Sequence, residues 1–167
     1  MEKHAILSAV AAGIVAATCG LAAAASAASA PEPADVPDGF IATQSAFAAE
    51  YREARIALDF PEGDTWEQGD AVPELEPGAI AENGVAAGIA HHQWLCAWEG
   101  EYLGAFADGD ASRAANALER VRSWEALPWV REHVVDPEGG WFRFVVVPAM
   151  ADDPGGVEED YAFGCEH

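Results

Sequence analysis

Apolar positions recur at helical spacing along most of this chain. Phe47, Tyr51, Ala54 and Leu58 fall at i, i+4, i+7 and i+11, one face of a helix over about residues 43–58. Thr43 or Ser45 can cap its start, and Pro61 and Gly63 end it. The acidic stretch 59–78 then reads as a long connection, with Trp66 and Leu75 pinning it to the core.

The pattern is densest over residues 85–107, with a possible earlier start at Pro77 and a break at Asn83-Gly84. At 100° per residue, Val85, Ile89, His92, Cys96, Glu99, Leu103 and Phe106 share one broad face. Trp94, Trp98 and Tyr102 form a second. Ala86, Ala90, Ala97, Gly100 and Gly104 form a third of small residues, and His91 projects away from the first. A helix apolar nearly all round is a buried helix. Asp108-Gly109-Asp110 makes the next turn, and Asp110 caps a helix over 111–127 with Ala114, Ala117, Leu118, Val121 and Trp124 inward. Pro128 opens a short helix, and residues 136–140 form a turn. An acidic segment over 157–163 leads to Cys165.

Residues 141–147, WFRFVVV, suit a strand by propensity. No other segment offers it a convincing partner, and an unpaired strand is unstable, so helix is the expectation. The fold class predicted is all-α: a small bundle of four to five helices around the buried helix 85–107, held by one disulfide.

The first thirty residues follow another pattern. From Ala5 to Pro31 none is charged; Lys3 precedes the stretch and small residues end it. That is the layout of an export signal. Residues 1–27 are expected to be a signal peptide cut after Ala27. The alternative is an uncleaved N-terminal anchor, since residues 6–25 are long enough to span a bilayer. Residues 28–38 form a Pro/Ala linker, and 39–167 a single acidic helical domain. The expected location is therefore extracytoplasmic, secreted or anchored to the outer face of the cell membrane. Cys19 has a poor lipobox around it, because Ala16, Thr18 and the apolar residues that follow do not fit one.

Charge narrows the partners. With 8 Lys and Arg against 29 Asp and Glu the chain carries −21, and Glu2 and Lys3 cancel, so the exported part carries the same. Nucleic acid is excluded as a partner, since phosphate contacts need basic residues in number. Anionic lipid surfaces are disfavoured for the same reason. Six Trp and seven Phe provide for one real core.

The chemistry centres on the 85–107 helix. Cys96 and Cys165 remain after export, an even count that predicts a disulfide in an oxidising compartment. His92, Cys96 and Glu99, at i, i+4 and i+7, carry ligand types suited to zinc or copper. A disulfide would consume Cys96, so no metal is assigned, and the plainer expectation is a buried His92–Glu99 pair bonded to each other. Trp94 and Trp98 could form an aromatic binding surface, although core packing is the commoner use of Trp. Asp108, Asp110, Ser112, Asn116 and Glu119 imitate EF-hand positions, but Arg113 occupies the place of the obligatory Gly. No G-x-S-x-G, H-E-x-x-H or phosphate-binding Gly-rich loop is present, and no cofactor is implied. The expected function is a non-catalytic interaction or structural module of the bacterial cell envelope. The alternative is a small-molecule or metal binder using His92 and Glu99, and an enzyme is the weakest of the three.

Overall fold

A computed structural model describes residues 36–63 and 72–165. The export segment 1–27, most of the linker, Cys19 and Trp66 lie outside the described residues. The described chain is all-α, with six α-helices and one disulfide. No helix among the described residues is long and apolar enough to cross a membrane.

A two-residue strand, β1 (Phe40–Ile41), precedes α1 (Gln44–Ile56) and pairs antiparallel with β2 (Ala81–Glu82). Thr43 caps α1 by accepting from Ala46 N at 3.3 Å. The predicted face turns inward, with Phe47 and Tyr51 buried and Ala54 and Leu58 half-buried. Tyr51 donates its hydroxyl proton to Gln93 Oε1 on the next helix.

That helix, α2 (Val85–Ala107), has the predicted bounds and is the centre of the molecule. α1 lies on one side and α3 (Ala111–Arg122) on another. Of the predicted small-residue face, Ala86 and Ala90 have no exposed surface and pack with Phe47 and Tyr51 of α1, Ala97 and Gly100 are half-buried, and Gly104 is exposed. Asp110 caps α3 through a 3.0 Å bond from Arg113 N. Ala114, Ala117 and Val121 of α3 are buried.

α3 stops at Arg122, short of the predicted 127, and a 3-10 turn, Trp124–Ala126, follows. The residue before a proline is pushed out of the helical region, and Leu127, before Pro128, is extended at φ −62°, ψ 132°. Pro128 then occupies the first turn of α4 (Pro128–His133), where its missing N–H is harmless.

Residues 141–147 are helical, as expected, but wide. Phe142–Val146 form a π-helical turn, with Val147 N–H bonded back to Phe142 O, and it runs into the single turn α5 (Val147–Ala149). Pro148 cannot donate the i→i−4 bond to Phe144, so a regular α-helical ladder is broken here. The acidic terminal segment is a helix, α6 (Gly155–Gly164), packed on α2 and on the π-helical turn. Gly156 permits the approach: a Cβ there would lie 2.2 Å from Phe144 O. The Cys96–Cys165 bond, with Cα atoms 5.6 Å apart, ties the end of α6 to the middle of α2.

Candidate functional site

Of the site residues predicted on the inner face of α2, Cys96 and Glu99 are buried as expected and His92 is not. His92 is exposed, whereas His91, expected to project away, is buried at 8% exposure. Val85 and Phe106 are also exposed, and Trp94 and Tyr102 are buried instead. The inward arc is thus centred nearer the Trp94 side than the projection placed it. An almost uniformly apolar helix gives a projection little to choose between, and α1 and α3 decide the outcome by covering the alanine and tryptophan sides.

Trp94 and Trp98 do not form an open platform. Trp94 is 1% exposed and Trp98 half-buried. Both indole N–H groups donate to Asp59 O, at 2.7 and 2.9 Å, which fastens the chain after α1 across α2.

His91 has a structural setting. Its Nδ1 donates to Ala87 O at 2.8 Å. Its ring stacks on Trp129, which stacks on His133, with centroids 5.0 and 4.6 Å apart. Burial, with the charge of His133 acting in the same direction, holds the His91 pKa below its ordinary value despite the Ala87 bond.

Glu99 is different. It has no exposed surface, and its Oε1 has no hydrogen-bond partner among the described residues. No hydrogen bond joins it to His92; its neighbours are Asp160 of α6 and the disulfide. Oε2 lies 3.8 Å from Cys165 Sγ, a contact only, since a disulfide sulfur carries no proton. Burial first, then the charge of Asp160 and hydrogen bonding with it, push the Glu99 pKa up to about 9. At neutral pH Glu99 therefore keeps its proton. Asp160 is positioned by Trp141, whose Nε1 donates to Oδ2 at 2.9 Å. Trp141 is placed in turn by Asp136, which accepts from Gly140 N and Trp141 N at 2.9 and 2.8 Å.

This pair lies at a pocket of about 430 Å³ between α2, α4 and α6. Leu95, Trp124, Val130, Val134 and Trp141 give it apolar walls, while His92, Glu125, Arg131 and Asp136 bring polar groups to it. An apolar pocket with a few convergent polar groups and a strongly displaced pKa is the usual form of a ligand site. Asp160, Trp141 and Asp136 were not expected as site residues. Their positions in the chain carry no spacing that links them to α2; folding α6 back across it brings them together.

No known protein family, curated protein or solved structure matches this chain.

Proposed function

We propose that this is an exported, non-catalytic binding protein whose pocket takes a small organic cation with an apolar body. The observation that carries the reading is Glu99: a fully buried carboxyl group with an unpartnered oxygen, beside Asp160, at an apolar pocket. Burying a polar atom without a partner is costly. A ligand ammonium donating to Glu99 Oε1 and Asp160 would supply that partner and take the place of the Glu99 proton. Trp124 and Trp141 would cover the apolar part and add cation–π attraction. A net charge of −21 draws cations and repels anions.

A second reading, an interaction module of the cell envelope, is favoured by another face. There Phe106 and Met150 are exposed, at 39% and 53%, around a second pocket of about 470 Å³.

Titration of the oxidised protein with phenethylammonium, followed by tryptophan fluorescence, tests the ligand reading. Saturable 1:1 binding is expected, with no response to phenylpropionate, which has the same ring and the opposite charge. Equal responses to both, or none to either, would contradict it. Export is tested separately by N-terminal sequencing of protein from the native host, where a mature chain beginning at Ala28 is expected.

A further inference from the structure

We infer that opening the Cys96–Cys165 bond converts this corner of the molecule into a zinc site of His92, Cys96, Cys165 and Glu99. The inference rests on three clustered donor atoms and a carboxylate beside one of them. Ligand atoms of His92, Cys96 and Cys165 all lie within 4.8 Å of one another. Cys96 Sγ is 3.9 and 4.0 Å from the two ring nitrogens of His92. Glu99 Oε2 is 3.8 Å from Cys165 Sγ. Tetrahedral zinc with bonds of about 2.0–2.3 Å sets its ligands roughly 3.3–3.8 Å apart, so the His92–Cys96 and Glu99–Cys165 spacings are already close to those the ion needs. The two sulfurs must separate to about 3.8 Å, and the Glu99 side chain must turn from Cys165 toward the other donors to complete the shell.

The fold allows that movement and supplies an entrance. Cys96 and Glu99 are held on the rigid middle of α2, about one turn apart, with His92 one turn before Cys96. Cys165 follows the last residue of α6, so it can swing away without disturbing a helix interior. Cys96 and Glu99 are buried while His92 is exposed, so the ion reaches two fixed inner donors past a solvent-facing ring. Two thiolates, an imidazole and a carboxylate form a donor set zinc accepts.

The reaction balances with a dithiol as reductant. The dithiol gives two electrons and two protons to the protein disulfide, closing its own S–S bond and leaving Cys96 and Cys165 as thiols. Zinc then displaces both thiol protons and the Glu99 carboxyl proton to solvent and forms two Zn–S bonds, while a His92 ring nitrogen and the Glu99 carboxylate complete the shell. In the oxidised protein neither sulfur has an electron pair to spare for the ion as a thiolate, so the bond gates the site. This inference goes beyond the organic-cation reading and does not depend on it: that reading concerns the oxidised protein, this one the reduced.

Anaerobic titration of full-length, dithiol-reduced protein with cobalt(II), followed by displacement with zinc(II), tests it. One cobalt per chain is expected, with thiolate-to-cobalt charge-transfer absorption, bleached by one equivalent of zinc. Oxidised protein should show no such band. His92→Ala should weaken zinc binding by more than about 10-fold, the lower end of what disturbing a mere supporting group costs. Because His92 is exposed, that variant folds, which the unchanged melting temperature of its oxidised form verifies. Circular dichroism of the reduced protein guards against trivial unfolding: helix lost on reduction should return with zinc. Absence of the charge-transfer band, binding indifferent to His92→Ala, or reduced protein that stays unfolded in zinc would each overturn the inference.

Discussion

Two buried polar residues on α2, His91 and Glu99, sit about two helical turns apart and are treated in opposite ways. His91 is satisfied: its Nδ1 has the Ala87 carbonyl and its ring is stacked on Trp129. Glu99 is left with an unpartnered oxygen beside a second acid, at a pocket. A buried polar group costs free energy unless it is paired. His91 meets that requirement within the fold, so it needs no function to explain it. Glu99 Oε1 does not, and in the proposed function a ligand supplies its partner.

The largest expected effect is on the bond that holds the Glu99 side together. Replacing Cys96 and Cys165 by Ser should cost about 4 kcal/mol by the chain-entropy relation for a loop of this length. Hydrogen exchange should show the loss concentrated in α6. Protection around His91 and Trp129 should persist. Uniform loss across both would remove the distinction between the regions.

Next is protonation. Glu99 holds its proton up to about 9 when folded, against 4.5 unfolded. Between those values the unfolded chain releases a proton that the folded chain keeps, so this residue subtracts stability as pH rises from 4.5 towards 9. At pH 7, 2.5 pH units above 4.5, the penalty is roughly 3.5 kcal/mol. Glu99→Gln, which resembles the protonated acid, should therefore be more stable than wild type at pH 7 by roughly that amount. The difference should vanish near pH 4, and denaturant titrations across pH measure it.

His91 should behave with the opposite sign. Its folded pKa is depressed, so its contribution is full above about 6.5 and is lost as pH falls below that. His91→Ala should cost about 2 kcal/mol at pH 7 through lost stacking and packing, with the deficit shrinking on acidification. The smallest effect is expected at His92. It is exposed, so His92→Ala in the oxidised protein should change stability by less than about 0.5 kcal/mol. A larger loss would mean that the orientation of α2 described above is wrong.

The sequence carries much of the fold and less of the site. The bounds of α2, the Thr43 and Asp110 caps, the inward faces of α1 and α3 and the Cys96–Cys165 bond are all readable, because each depends on local spacing or on residue type alone. The early end of α3 was foreseeable from Leu127-Pro128. The two-residue strands were not, being too short to leave a pattern. Which of two adjacent histidines turns inward was also hidden. On a helix apolar nearly all round, tertiary contacts settle the rotation, and here Trp129 of α4 takes His91. Gly88 shows why it fits: a Cβ there would lie 2.8 Å from the Trp129 ring. Glu99 was marked by its charge in an apolar helix. Its partner Asp160 was lost among the many acidic residues of the C-terminal segment, where nothing local separates a buried carboxylate from a solvated one.

The central claim is that Glu99 is the group a cationic ligand completes, and its own titration tests this most directly. The carboxyl carbon of Glu99 can be followed by NMR across pH in oxidised protein, free and saturated with phenethylammonium. The account predicts a free midpoint near 9 and a lower one in the complex, because a cation favours the ionised form. A Glu99 that titrates near 4.5, or whose midpoint does not move when the cation is added, would contradict it.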